Sequence, residues 1–364
     1  MSADQVTTRG DGAMLTPEEE VAFEKATGPL RGELIAHCYR MLGSANEAED
    51  LVQETYLRAW RAFHSFEGRS SVRTWMYSIA TNSCLTALRQ QSRRPLPSGL
   101  GQPPGDPHEP VQEDRSIPWL EPLPDRLVFG QGSASQDPAD AVVYTEGVQL
   151  AVVAALQDLP PRQRAVLVLR EVLQLSAAET ARVLECTVAS ANSALQRARA
   201  TIGDGLPEAG RRVSELSERE REVFAELCDA FERYDVPAVV GVMTEQATWQ
   251  MPPFDRFYVG RADIAALIGT QCPASGPADF RILPIFCNGQ PSMAMYLRDH
   301  DHDHDHDHDH DHDQDQDVIY RAFQVCVVDV AQDQVQGVVG FFDPAVFAQA
   351  GLPEVLVGSG APPA

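Results

Sequence analysis

The stretch Leu175–Ile202, LSAAETARVLECTVASANSALQRARATI, most constrains what this chain can fold into. Ser176 followed three residues later by Glu179 is a capping box, which predicts a helix running to about Leu184. Glu185-Cys186 makes a tight turn, and Thr187 offers the N-cap of a second helix. In that second helix Val188, Ala191, Leu195 and Ala198 form one apolar stripe. Ser190, Asn192, Ser193, Gln196, Arg197 and Arg199 occupy the other faces, with no acid among them. Two short helices with a polar, basic second member describe a helix-turn-helix and its recognition helix. The same spacing also describes an ordinary helical hairpin with a solvated face.

Charge distribution bears on that choice. The chain of 364 residues carries a net −24, which taken whole argues against a nucleic-acid partner. Ten alternate aspartates from Asp299 to Asp317 supply much of it, and without them the balance is −14. Residues 30–100 hold nine arginines against six acids, and residues 148–203 hold six against four. The helical parts are therefore mildly basic and the acid lies elsewhere. Seven scattered cysteines without a CxxC pair indicate neither a disulfide framework nor a zinc site. No apolar run approaches the ~18 residues of a membrane span, and the N-terminus lacks an apolar leader core. These features predict a cytoplasmic protein with no membrane contact, no cofactor and no metal.

Upstream, Thr16-Pro17-Glu18-Glu19 and Ser44-Ala45-Asn46-Glu47 read as further capping boxes. In the helix after Ser44, Ala48, Leu51, Val52, Thr55, Ala59 and Ala62 make an inward stripe. Asp50, Gln53, Glu54, Leu57, Arg58 and Arg61 face away from it. A loop, Phe66 to Ser71, leads to a helix over Val72–Arg89 that interleaves aromatic and basic residues. Such interleaving suits unpaired bases. Trp75 and Ile79, one turn apart, read instead as core.

These segments carry a resemblance. CYRMLGSANEAEDLVQETYLRAWRAFHSFEGRSSVRTWMYSIATNSCLTALR resembles the sigma-2 domain of the extracytoplasmic-function sigma factors of the sigma-70 family. LQDLPPRQRAVLVLREVLQLSAAETARVLECTVASANSALQRARATI resembles their sigma-4 domain. The resemblance implies that Asp50, Gln53, Glu54, Leu57, Arg58 and Arg61 dock on the clamp of the largest subunit of core RNA polymerase, with the flap as a further polymerase contact. It implies that Phe66, Arg69, Ser70, Arg73, Tyr77 and Asn82 read the −10 element of promoter DNA, where a base is taken from the stack. It implies that Ser190, Asn192, Ser193, Gln196, Arg197 and Arg199 read the −35 element in the major groove.

Between these parts, Arg93–Asp140 contains ten prolines and five glycines in 48 residues. This reads as a linker over 95–140, largely without regular structure. Its fully extended reach of about 150 Å exceeds the roughly 58 Å between promoter elements about 17 base pairs apart. The domains expected are 16–94, 141–205 and, beyond them, 215–352.

The third part opens with a capping box at Ser217–Glu220 and a helix to about Tyr234. A short helix at Pro237–Met243, a strand at Ala247–Met251 and a helix at Arg261–Ile268 follow. Phe280–Cys287, Ser292–Leu297, Val318–Val330 and Gln334–Phe342 read as strands of a curved antiparallel sheet. The order resembles a SnoaL-like, nuclear-transport-factor-2-like α+β cone, so the whole chain is expected to be multidomain: two all-α sigma domains plus this cone. Trp249, Met251, Phe254, Asp255 and Tyr258 are the candidates to line a pocket. Enzymes of that fold use an Asp with a His or Tyr, but no histidine lies between Pro110 and Asp299, and Asp255 can simply pair with Arg256. The Asp/His repeat of 299–317 has metal-ligating chemistry, but its place at a hairpin tip favours a tolerated insertion.

The resulting expectation is a promoter-specificity subunit without chemistry of its own, whose acidic C-terminal part contacts and masks the sigma domains. The alternatives are a DNA-binding regulator fused to a small-molecule-binding or isomerase-like enzyme domain, and a repressor using the helix-turn-helix alone.

Overall fold

The computed structural model describes residues 16–90, 93–130, 148–203, 216–300 and 317–359. Of the 299–317 repeat only Asp299, His300 and the backbone of Asp317 are described, and residues 301–316 lie outside the described residues.

Four helices form the first body: α1 (Pro17–Thr27), α2 (Arg31–Leu42), α3 (Ala45–Ala62) and α4 (Val72–Ala87). Thr16 and Glu19 close the expected capping box on α1. At α3 only half the box forms: Ser44 Oγ accepts the Glu47 N–H, while the Glu47 carboxylate turns to Arg94 at 2.8 Å. A charged partner from the linker outcompetes a local backbone amide. The inward residues of α3 behave as their spacing demands, with Ala48, Val52, Thr55 and Ala59 buried against the apolar face of α2.

The linker holds little regular structure apart from a 3-10 turn at Pro97–Leu100 and α5 (Asp125–Phe129). It is nonetheless placed by hydrogen bonds. Glu121 accepts from Ser44 Oγ at 2.8 Å, and the Tyr39 hydroxyl donates to the Glu121 carbonyl at 2.7 Å. Further along, the Gly105 N–H donates to the Phe257 carbonyl and Asp114 N–H to the Pro253 carbonyl. The segment therefore straps the first body to the C-terminal domain.

The second body comprises α6 (Leu150–Gln157), α7 (Pro161–Leu167), α8 (Ala177–Val183) and α9 (Val188–Ile202), with a π-helical turn at Val168–Val172 after α7. Ser176 and Glu179 make the capping box of α8, and Thr187 caps α9 by accepting the Ser190 N–H. Glu185 adopts φ 49°, which makes the turn between them tight. Ala191, Leu195 and Ala198 are buried as expected, with Ala194 beside them. Val188 is 44% exposed, because it sits in the first turn, ahead of the packed stripe.

The C-terminal domain orders α10 (Glu218–Glu232), α11 (Val236–Gly241), β1 (Met243–Gln250), β2 (Phe257–Val259), α12 (Arg261–Gln271), β3 (Phe280–Cys287), β4 (Gln290–Arg298), β5 (Asp317–Ala331), β6 (Gln334–Phe341), α13 (Ala345–Gln349) and β7 (Val355–Ser359). The sheet order is β2-β1-β6-β5-β4-β3, with β7 on β5. All pairs are antiparallel except β1–β6, which is parallel, so the sheet is mixed rather than purely antiparallel. Alternation reveals strands but not their direction; the last strand of the β3–β6 meander closes on β1 after an even number of reversals. The short β2 and β7 had no periodicity long enough to mark them.

This sheet is buried on both faces. Met293, Met295, Cys326 and Val328 join Val223, Leu227 and Phe231 of α10 inside the cone. Ala294, Tyr296, Val325 and Val327, one residue out of phase, join a core shared with the two helical bodies and the linker. Successive strand residues point to opposite faces, so a strand packed on both sides reads as a continuous apolar run.

Candidate nucleic-acid and polymerase interfaces and the latch between domains

The outer face of α3 is open. Asp50, Gln53, Leu57, Arg58 and Arg61 are exposed and Glu54 is half-buried, with Leu57 at 58%. Arg58 spans to Glu54 and to Ser83 Oγ of α4, at 2.5 and 3.3 Å, which holds its guanidinium flat on the helix.

The residues of the loop and α4 divide into two groups. Phe66, Arg69 and Ser70 border a cavity of about 510 Å³, and Trp75 stacks on Phe66 with centroids 4.8 Å apart. Tyr77 and Asn82 do not reach it. Tyr77 is 1% exposed and its hydroxyl donates to Glu33 at 2.8 Å; burial pushes the phenol well above its ordinary value. Arg73 pairs with the same Glu33 at 2.6 Å. Asn82 donates to the Val183 carbonyl of α8 at 3.5 Å. In this arrangement α4 is covered by the second helical body, and Arg182 and Val183 form one wall of the cavity. The covering element is thus the helix-turn-helix body, where the charge balance had pointed to the acidic C-terminal part.

All six candidate residues on α9 are exposed. Arg199 pairs with Glu171 at 2.5 Å, across a contact 61% and 37% exposed, which costs little to break. Arg197 has no ion pair among the described residues.

Two buried clusters absent from the sequence-derived candidates hold the bodies together. Arg164 of α7, 3% exposed, donates to the Met41 carbonyl at the end of α2, and to Gln157 Oε1 at 2.7 Å. Burial lowers its pKa to about 10. The second cluster is the Asn288-Gly289 turn between β3 and β4. Asn288 is fully buried at φ 59°. Its amide donates to Tyr39 Oη at 2.8 Å and to the Val148 carbonyl at 2.6 Å, and its Oδ1 accepts the Leu123 N–H at 3.0 Å. The Gly289 N–H donates to Asp125 Oδ1 at 2.8 Å, and Gln290 Oε1 accepts the Leu150 N–H at 3.0 Å. One turn of the cone therefore grips the first helical body, the linker and the second helical body. Burial raises the Asp125 carboxyl to about 7, against the opposing hydrogen bond from Gly289. An Asn-Gly pair between alternating runs signals a hairpin; nothing local signals what the hairpin grips.

The pocket candidates of the cone do not converge on a ligand-sized space. Trp249 is 3%, Met251 9% and Tyr258 2% exposed, all within the cone's core. Phe254 packs edge-on against Phe342 at 5.3 Å. Asp255 lies 3.9 Å from Arg256, and the cavity beside Asp255 and Tyr258 measures about 50 Å³, roofed by linker residues including Asp106 and Gln112.

Two all-α bodies, the second a helix-turn-helix, strapped by a proline-rich linker to an α+β cone define a multidomain transcription protein. The Sigma-70 region 2 family matches residues 29–94, the Sigma-70 region 4 family 149–202 and the SnoaL-like domain family 224–319. The chain is 44% identical over 355 residues to the ECF RNA polymerase sigma factor SigG of Mycobacterium tuberculosis, covering 96% of this chain and 89% of that protein. The RNA polymerase sigma-H factor of Pseudomonas aeruginosa is 29% identical over 185 residues, covering 51% of this chain and 86% of that protein. The crystal structure of the M. tuberculosis extracytoplasmic function sigma factor SigJ shares the fold, with a TM-score of 0.56 at 22% identity, over 92% of this chain and all of that one. The chain belongs to the extracytoplasmic-function sigma factors of the sigma-70 family, with a C-terminal SnoaL-like domain.

Proposed function

We propose that this sigma factor rests in a closed form that core RNA polymerase opens. The observation that carries the reading is an asymmetry: the α3 face around Leu57 is open, while α4 is shut against α8. Core polymerase can dock on Asp50, Gln53, Glu54, Leu57, Arg58 and Arg61 without any rearrangement. Reading a −10 element with Phe66, Arg69, Ser70, Arg73, Tyr77 and Asn82 requires α8 to leave α4, and requires Arg73 and Tyr77 to give up Glu33 of α2 as well. Once separated, α9 presents Ser190, Asn192, Ser193, Gln196, Arg197 and Arg199 to a −35 element. Selection of the promoter then follows polymerase binding, in the cytoplasm where the polymerase works. No described helix is long and apolar enough to cross a membrane.

In this reading the SnoaL-like domain regulates and does not catalyse. Asp255 and Tyr258 share too little space with a substrate, and the linker closes over them. The domain acts through Asn288, which ties the closed form together. One face of its sheet also completes a core shared with the helical bodies, so deletion of the whole domain would uncover Tyr39, Leu123 and Val148 on their side of it.

The test is a pair of assays on the full chain carrying Leu57→Glu. Core-polymerase capture should fall at least about tenfold, as expected for a hot-spot residue at an interface centre, and run-off transcription should fall with it. Unchanged capture removes the α3 face from the polymerase contact.

A further inference from the structure

The cavity between the Phe66–Ser70 loop and α8 has chemistry beyond promoter reading. Its volume of about 510 Å³ falls in the range of small-molecule sites. Its two walls come from different bodies: Phe66, Arg69, Ser70, Thr74, Trp75 and Ser78 on one side, Arg182 and Val183 on the other. The Phe66–Trp75 pair, tilted 35°, offers π faces to a flat heterocycle. Arg69 and Arg182 are exposed and line the cavity from its two sides, and planar guanidinium forks match phosphate oxygens. Glu67 is the single acid in the lining, so the chamber is net positive. It pairs with Arg69 at 3.0 Å, but at 86% and 67% exposure that pair exchanges readily for an anionic ligand.

We propose that in the closed form this chamber binds a free nucleoside phosphate, with the base against Phe66 and Trp75 and the phosphate held between Arg69 and Arg182. The proposal deepens the −10 reading of the same loop and rests on it in one respect: a site that accepts a base from promoter DNA accepts a base from solution. What is new is the second wall. Arg182 belongs to the helix-turn-helix body and joins the chamber only while α8 covers α4. A ligand held by both walls binds the closed form more tightly than the open one, and so shifts the population toward closed. A nucleotide would thereby oppose promoter engagement, by occupying the loop and by holding the two bodies together.

The experiment is calorimetric titration of the full-length protein with guanosine and adenosine monophosphates, alongside inorganic phosphate and the unphosphorylated nucleosides. Saturable binding of at least one nucleotide is expected, with both halves of the molecule needed for full affinity. Arg182→Ala should weaken that binding about tenfold, the loss of one charge-assisted contact; Arg69→Ala should do the same. Both side chains are exposed, so neither variant threatens folding, which a circular-dichroism melt verifies. Three results would each overturn the proposal: no nucleotide binding, phosphate binding as tightly as the nucleotides, or Arg182→Ala leaving affinity unchanged. The −10 reading fails on a separate axis, if Arg69→Ala leaves transcription from −10 promoters unaltered in the absence of nucleotide.

Discussion

Replacing Asn288 by alanine tests the latch most directly. The side chain makes three buried hydrogen bonds, to the Leu123 N–H, Tyr39 Oη and the Val148 carbonyl. In the alanine variant the Tyr39 hydroxyl still donates to the Glu121 carbonyl, but the Leu123 N–H and the Val148 carbonyl lose these partners. Each buried group left unpaired costs about 1–3 kcal/mol. Alanine at φ 59° adds about 1 kcal/mol of backbone strain that asparagine tolerates better. The closed form should therefore lose about 4 kcal/mol, close to a thousandfold in the closed-to-open ratio. Native-state hydrogen exchange reads this at the amides of Leu123 and Asn288, which are bonded across the domain boundary. Both should exchange about a thousand times faster, and transcription with limiting core polymerase should rise. Asn288→Gly relieves the backbone strain but not the lost bonds, so it should fall short of the alanine effect by about 1 kcal/mol. Exchange within a few-fold of the parent protein would refute the assignment of Asn288 as the tie.

Further predictions follow from the other clusters. Arg197→Ala should reduce run-off transcription from −35-dependent promoters about tenfold, the loss of one base or phosphate contact, while core-polymerase capture is unchanged. Asp125 binds a proton more tightly in the closed form than when released, since its carboxyl is raised from 3.8 to about 7. The stability it lends is present at low pH and is lost as pH rises toward and through 7. Hydrogen exchange at Gly289 should accelerate over that window, and Asp125→Asn, which keeps an acceptor for the Gly289 N–H, should flatten the dependence.

The features legible in the chain are those whose cause lies within one turn or one strand. Ser176 and Glu179, or Ser217 and Glu220, cap their helices with bonds three residues apart, so the capping boxes of α8 and α10 are read directly. The stripe Ala191, Leu195, Ala198 turns one face of α9 to its core and thereby turns Arg197 outward. The strands β3 to β6 announce themselves by apolar runs of strand length. Composition also marks 95–140 as a linker with little regular structure; residues 131–140 lie outside the described residues, and the helical turns of the described part are Pro97–Leu100 and Asp125–Phe129.

What tertiary structure alone decided is which of these surfaces face solvent. Tyr77 looks on its own helix like a reader of bases, yet Glu33, 44 residues away, holds it inside. Glu47 looks like half of a capping box until Arg94 draws its carboxylate away. Asn288 reads as a turn residue, and its role arises from Tyr39, 249 residues away, and Val148, 140 residues away. Periodicity and capping are short-range and survive in any context. Burial of a face, the pairing of a charge and the direction of a strand depend on partners that the fold brings together, and so no local pattern records them. The helix-turn-helix was written into Leu175–Ile202; that α8 would close over α4 was settled only when the two bodies and the cone came to share one core.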